Sequence, residues 1–381
     1  MADKKKIILI GPAYPYRGGN SLFISHVYDK LKDDFEVKVY NYKLLYPSLL
    51  FPGSTQFDKS NEVIKKAPNE RIINSINPFN WISTAAKIIN ENADLVVFDW
   101  WHPFFSFCHF AISSLIKKKY KNKILFITEN VVSHEGKFYE KVLTKLGLAN
   151  AASFLALSKK VEDELVPYTS KKVYSSELPI YDCYKNNLEV DYKTAFKFSI
   201  NDFVILFFGY VRKYKGLDIL LEAFPDILKQ IPQAKLLVVG EFYDKPDTYF
   251  ELIEKLSLKD KVTMINQFVP NEEVEQYYKA ADVVILPYRS ATQSGILNVA
   301  YGFGLPVVVT NVGGLSEFVQ DGKTGVIVPE ASSAKISNGI IKFFRLKDNV
   351  DFSANILNQV KANKFEMLPQ LFNEIIQDTV K

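Results

Sequence analysis

The chain has 381 residues, more than one ordinary hydrophobic core accommodates, so two domains are expected. With 48% hydrophobic and 24% charged residues it has the make-up of a globular protein, not a disordered one. A formal charge of +4 lacks the dense basic face of a nucleic-acid binder, and two isolated cysteines, Cys108 and Cys183, argue against a disulfide scaffold or a cysteine zinc site.

The N-terminus offers only Ile7–Ile10 as an apolar run before Gly11-Pro12, too short for a signal peptide's apolar region. It reads as a first strand, and a cytoplasmic, reducing location is expected. In chain order, apolar β-rich runs predict further strands at 36–40, 94–98, 124–128, 153–157 and 172–174. A second set follows at 203–208, 235–239, 262–265, 282–286, 306–310 and 325–328. Most are continuously apolar, as strands covered on both faces should be, and helical patterns alternate with them. The fold class is therefore α/β, with two doubly wound, Rossmann-like domains. Residues 43–80 carry Pro47, Pro52, Pro68 and Pro78 among polar residues and are expected to form a long loop.

The stretch 100–116, WWHPFFSFCHFAISSLI, falls short of the ~20 apolar residues of a membrane span. It reads as a buried helix starting near Pro103, the alternative being an aromatic face at a bilayer interface. A cationic run follows at Lys117, Lys118, Lys119, Lys121 and Lys123, either a solvated helix end or a patch for anionic headgroups or an anionic acceptor. The polar stretch 181–192 suggests domains at 1–185 and 186–350, with a helical tail at 351–381 packing back toward the first domain. Residues 1–190 carry a net +6 and the remainder −2.

Several familiar sites are absent. There is no HExxH, no metal-ligand spacing among the four histidines, no GxGxxG after a strand and no GxSxG. Gly322-Lys323-Thr324 imitates the end of a phosphate-binding loop, but Glu317 stands where the first glycine is required. Three strand-to-helix corners remain, the places where α/β proteins bind ligands. At Gly11–Asn20, the pair Gly18-Gly19 would let backbone N–H groups approach an anion, or would simply serve a tight turn. At Gly209–Gly216, Arg212, Lys213 and Lys215 precede a helix, where structural helices usually carry acids; cations and helix dipole together suit a diphosphate. At Pro287–Ile296, Thr292, Gln293, Ser294 and Gly295 offer small polar groups and backbone donors at another helix start.

The order of these pieces resembles the donor domain of family 4 glycosyltransferases. The similarity lies in Lys215-Gly216 followed by DILLEAF, in LLVVGE at 236–241, in AADVVILPYRS at 280–290, and in YGFGLPVVVTNVGGLSEFVQDGKTGVIV at 301–328. The first half is similar only through Gly18-Gly19 and the run 129–135, ENVVSHE. The resemblance implies GT-B architecture, two facing Rossmann-like domains, and a retaining, metal-independent enzyme. Its substrate would be a UDP- or GDP-linked sugar, with no other cofactor and no metal site, since no Asp-x-Asp occurs. Arg212 and Lys215 would stabilise the departing diphosphate, Glu129 and His134 would position the sugar, and Gly18, Gly19, Gly209, Thr292, Gln293, Ser294 and Gly295 would bind the donor. His134 as a purely structural residue is an equal alternative.

Three positions depart from the pattern. The family's Glu-x7-Glu pair falls near Ala291 and Val299, with no Glu between Glu275 and Glu317. Glu129 stands where many relatives have His, and Arg212 and Lys215 are three apart where five is common. The expected activity is sugar transfer to a glycan or lipid-linked acceptor in envelope polysaccharide or glycoconjugate synthesis. The protein would be cytoplasmic, touching an anionic membrane surface at the inner face of the plasma membrane. The alternatives are a catalytically silent nucleotide-sugar-binding or partner protein, and a phosphorylase or sugar-phosphate transferase of the same architecture.

Overall fold

A computed structural model describes residues 4–51, 55–62, 64–132, 138–186 and 190–380. The chain forms two compact units, one of residues 1–58, 65–179 and 364–381, the other of residues 59–64 and 180–363.

The first unit runs β1 (Lys6–Ile10), α1 (Gly19–Leu31), β2 (Glu36–Leu44), β3 (Asn69–Asn74), α2 (Pro78–Asn90), β4 (Leu95–Trp100), α3 (Ser106–Tyr120), β5 (Ile124–Thr128), α4 (Phe138–Gly147), β6 (Ser153–Ala156), α5 (Lys159–Leu165) and β7 (Val173–Ser175). Its parallel sheet has the order β3-β2-β1-β4-β5-β6-β7, so the strand order reverses between β1 and β4. The strands β4 and β5 are buried at every position, β5 as its unbroken apolar run requires and β4 with Asp99 buried among its apolar residues. Phe98, Trp100, Phe105, Cys108, Ile112 and Phe126 fill one face.

One expectation is corrected here. Residues 43–80 are not one long loop: they hold the end of β2, all of β3 and the start of α2. The β3 run NERIIN is a half-exposed edge strand, too polar to show the apolar signature of its neighbours. The aromatic stretch does start a helix at Pro103, through a single tight turn capped by the His102 ring, which accepts from the Phe104 N–H at 3.1 Å. Its lysines stand at the far end of α3, where Lys117 donates to Asn150 at 3.0 Å and Lys119 to the Ile89 carbonyl. Phe107 and Lys117 are thus ~15 Å apart along the helix at 1.5 Å per residue.

The second unit runs α6 (Tyr192–Ala195), β8 (Phe203–Phe208), α7 (Leu217–Gln230), β9 (Ala234–Val239), α8 (Pro246–Lys255), β10 (Val262–Ile265), α9 (Val274–Ala280), β11 (Val283–Leu286), α10 (Gly295–Gly302), β12 (Val307–Thr310), β13 (Gly325–Val328), α11 (Ser333–Leu346) and α12 (Phe352–Lys361). The parallel order β10-β9-β8-β11-β12-β13 reverses between β8 and β11. The C-terminal stretch is not one helix. It breaks at Ala362-Asn363, and α13 (Leu368–Asp378) belongs to the first unit, where Phe365, Phe372 and Ile375 pack with Phe23, Ile24 and Val27 of α1. Lys172 and Tyr174 secure it through Asp378 at 2.7 and 2.8 Å. No helix among the described residues is long and apolar enough to cross a membrane.

Candidate functional site

In each doubly wound sheet the reversal point opens a crevice at the strands' C-terminal ends. The predicted residues gather at these two places, one in each unit.

In the second unit, β8 ends at Phe208 and the chain turns at Gly209, whose φ of +97° favours glycine. A Cβ there would also stand 3.3 Å from the Lys215 Nζ. Val211 then rejoins the neighbouring chain, its N–H donating to the Glu241 carbonyl at 3.0 Å and its carbonyl accepting from the Tyr243 N–H at 3.0 Å. Arg212 opens a tight turn, Lys213–Lys215, which Gly216 closes at φ +73°. A Cβ on Gly216 would lie 2.1 Å from the Pro287 carbonyl, so only glycine lets the loops after β8 and β11 meet.

Lys215 is 7% exposed, a buried ammonium in no ion pair among the described residues. Burial, assisted by the Arg212 charge, pulls it down to about 7. Its Nζ lies over the Tyr288 ring at 5.6 Å, and the Arg212 guanidinium lies over the Tyr243 ring at 4.8 Å. Lys213 is exposed and apart from them. Arg289 makes a two-pronged pair with Asp218, at 2.8 Å on both oxygens.

The third corner stands beside this one. Thr310 donates to the Tyr288 carbonyl at 2.6 Å, and the Ser294 hydroxyl is hydrogen-bonded to the Tyr288 phenol. Ala291 and Thr292 are buried, while Gln293, Ser294 and Gly295 are half-buried at the start of α10. Gly313, at φ +54°, lies against this loop so closely that a Cβ would fall 1.4 Å from the Ala291 carbonyl oxygen. Ala291 and Val299, which stand near the family's glutamate positions, are both buried apolar groups.

In the first unit, Gly18 caps α1 at φ +101° and Gly19 is its first residue. Nothing lies within 4 Å of a Cβ built on either, so packing does not demand glycine at 19. The Asn20 amide donates to Glu129 at 2.8 Å, and the Glu129 N–H donates to the Trp100 carbonyl at 2.9 Å, prolonging the ladder beyond β5. The Glu129 carboxyl is electrostatically coupled to that of Asp99, which is fully buried near the end of β4. Burial pushes both acids up, Asp99 further because the Glu129 charge adds to it, so the two do not ionise together readily. The pair can hold a proton at the crevice between β1 and β4. His134 lies outside the described residues.

The structure thus brings Arg212, Lys215, Gly209 and Thr292–Gly295 together in one unit, and Glu129, Gly18 and Gly19 in the other. Sequence reasoning missed Asp99, although an acid inside the run LVVFDWW was a visible signal. It also missed Tyr243, which meets Arg212 only because β8 and β9 are neighbours. Among the described residues no group of three or more His, Cys, Asp or Glu could hold a metal ion.

Residues 192–360, which carry the second and third corners, match the family model of glycosyl transferases group 1. An uncharacterized glycosyltransferase of Methanocaldococcus jannaschii is 28% identical over 244 residues, 62% of this chain and 60% of that protein. A D-inositol 3-phosphate glycosyltransferase of Segniliparus rotundus is 35% identical over 142 residues, 35% of this chain and 31% of that one. The chain therefore spans between about a third and 60% of the length of these relatives. HepE of Anabaena, solved with UDP-glucose, superposes with a TM-score of 0.73 at 16% identity over 98% of this chain and 99% of that one. Sucrose-phosphate synthase of Thermosynechococcus elongatus gives 0.71 at 17% identity over 98% and 99%. The fold is that of these proteins: two Rossmann-like parallel-sheet domains of the GT-B class, with C-terminal helices.

Proposed function

We propose that this chain is a retaining glycosyltransferase that moves a sugar from a UDP- or GDP-linked donor to a glycan or lipid-linked acceptor of cell-envelope polysaccharide or glycoconjugate synthesis. The observation that carries this reading is the buried Lys215 ammonium beside Arg212, at the reversal point of the sheet within the family-matching region. A buried cation without a carboxylate partner is costly, and an anionic ligand repays that cost.

Breaking the anomeric C–O bond leaves negative charge on the diphosphate and positive charge on the sugar. Arg212 and Lys215 stabilise the former, an effect of ~3–4 kcal/mol for a well-placed donor. Arg212, together with Lys215 once the diphosphate restores its charge, makes a divalent metal unnecessary. The acceptor attacks from the face the diphosphate leaves, and the leaving phosphate takes the acceptor's proton. Glu129, held by Asn20, orients a sugar hydroxyl; Gly209, Gly295 and the Thr292–Ser294 loop line the donor's phosphate and ribose end, and Gly18 and Gly19 admit it closely. The protein works in the cytoplasm and binds the anionic inner face of the plasma membrane through the lysines ending α3.

The test is a panel of UDP- and GDP-sugars scored by thermal shift and by diphosphate release, with and without EDTA. Release with one donor, retained in EDTA, is expected. A thermal shift with no release in any acceptor mixture selects the silent binding protein instead, a reading favoured by the buried apolar Ala291 and Val299 at the glutamate positions. Activity lost in EDTA and restored by Mg²⁺ refutes metal independence. Flotation with anionic liposomes at low salt tests the membrane contact, and a protein that stays in the pellet refutes it.

A further inference from the structure

Two cations that stand together at one loop corner repel each other and need something to hold them. Ordinarily that is a carboxylate, which also cancels their charge. Among the described residues, neither Arg212 nor Lys215 has an ion pair. The acid of the following helical turn, Asp218, is engaged elsewhere, both its oxygens taken by Arg289 at 2.8 Å. Arg289 is itself fixed at its base: its N–H donates to the Tyr214 carbonyl at 2.7 Å and its Nη1 to the Lys213 carbonyl at 2.6 Å. Asp218 is thus committed to Arg289.

What lies against the two cations instead is aromatic. The Arg212 guanidinium is 4.8 Å from the Tyr243 ring centre, and Tyr243 leans on Tyr210 with centres 4.7 Å apart and planes 32° from parallel. The Tyr243 backbone is pinned to this same strand extension by its bond to the Val211 carbonyl at 3.0 Å. Lys215 sits over Tyr288, which is 5.6 Å away, buried, and steadied by Thr310 at its carbonyl. A ring face attracts and orients a cation through its quadrupole while leaving the net charge untouched.

We propose that Tyr243 and Tyr288 are positioning residues that hold the Arg212 and Lys215 side chains against their ring faces, so that the corner is set for a diphosphate without a carboxylate to cancel its charge. The inference rests on the donor-binding reading above and adds to it the groups that make the corner ready before the ligand arrives. Tyr243 acts on Arg212, and Tyr288 on Lys215. Binding then requires no ion pair to be broken, and the ligand's two charges are the first that the cations meet.

The experiment titrates the full chain with UDP, GDP and inorganic pyrophosphate by calorimetry. The proteins are wild type, Arg212→Ala, Tyr243→Leu and Tyr243→Phe. Arg212→Ala should weaken binding at least tenfold and Tyr243→Leu about fivefold. Tyr243→Phe, which keeps the ring, should restore affinity to within about twofold of wild type. A loss in Arg212→Ala together with an unchanged Tyr243→Leu overturns the positioning role and leaves the donor reading standing. A wild type that binds none of the three ligands overturns the donor reading. The positioning role keeps its own readout, the ring-current shift of the Arg212 Nε–H resonance in the free protein. That shift should be lost in Tyr243→Leu and kept in Tyr243→Phe, and its absence from wild type overturns the inference.

Discussion

Donor binding should take up a proton, and Lys215 should be the group that receives it. In the free protein, burial and the Arg212 charge hold this ammonium at about 7 instead of its ordinary 10.5. Two phosphate charges beside it restore the charged form toward its ordinary range. If only the charged form binds, the apparent dissociation constant is the intrinsic one divided by the charged fraction. That fraction is ~0.5 at pH 7 and ~0.01 at pH 9, so affinity for the preferred nucleotide sugar should fall ~50-fold across this window. A nucleotide sugar is the right probe because its phosphates are both esterified and do not titrate there. Calorimetry in buffers of different ionisation enthalpy should count ~0.5 proton taken up at pH 7 and nearly ~1 at pH 9. Lys215→Arg, charged throughout, should bind with no such dependence. An affinity constant to within about twofold from pH 7 to 9, with no proton uptake, would refute the reasoning.

Replacing the same residue by Met should raise stability while abolishing turnover. The unfolded chain binds more protons than the native one between pH 7 and 10.5, so stability rises with pH there and is lost as pH falls toward 7. Removing the buried ammonium should return on the order of 2–4 kcal/mol at pH 7 and flatten that slope, as read from urea midpoints; a lower midpoint would count against it. The Asp99–Glu129 pair has the opposite sign: both acids are raised in the fold, so its contribution falls as pH climbs above the ordinary carboxylate range. Asp99→Asn, which carries no titratable proton, should show a smaller loss of urea midpoint than wild type between pH 5 and 8, and parallel profiles would exclude the coupling. Gly19→Ala should leave thermal stability unchanged or slightly higher, because the added methyl meets open space in a helix. Its donor affinity should fall at least tenfold, and an unchanged affinity would mean that no ligand approaches this turn.

The strands that stack into the two sheets were readable wherever burial on both faces left an apolar run, as in β5, β8, β11 and β12. β3 escaped because an edge strand keeps polar residues, and here prolines surround it. The C-terminal stretch looked like one helix because its apolar spacing continues through the break at Ala362-Asn363, where the chain passes into the other unit. At the candidate site, Arg212 and Lys215 announced themselves as cations in a place where helices prefer acids. Their tyrosines did not: Tyr243 and Tyr288 reach the corner across neighbouring strands, and nothing in local spacing encodes a contact made by sheet order. Asp99 lay one residue beyond the point where the apolar run was taken to end.

The seating of α13 has a consequence for how the protein is made. Phe365, Leu368, Phe372, Ile375 and Ile376 cover α1 and the adjoining sheet face, yet they leave the ribosome after the whole second unit. At ~5–20 residues per second, translation from residue 180 onward takes ~10–40 s. Throughout that interval the nascent first unit carries an uncovered strip containing Phe23, Ile24 and Val27, a natural landing place for a ribosome-associated chaperone. For the same reason a premature stop after Asn363 removes part of the earliest-made core, and the truncated product should aggregate even though its second unit is intact.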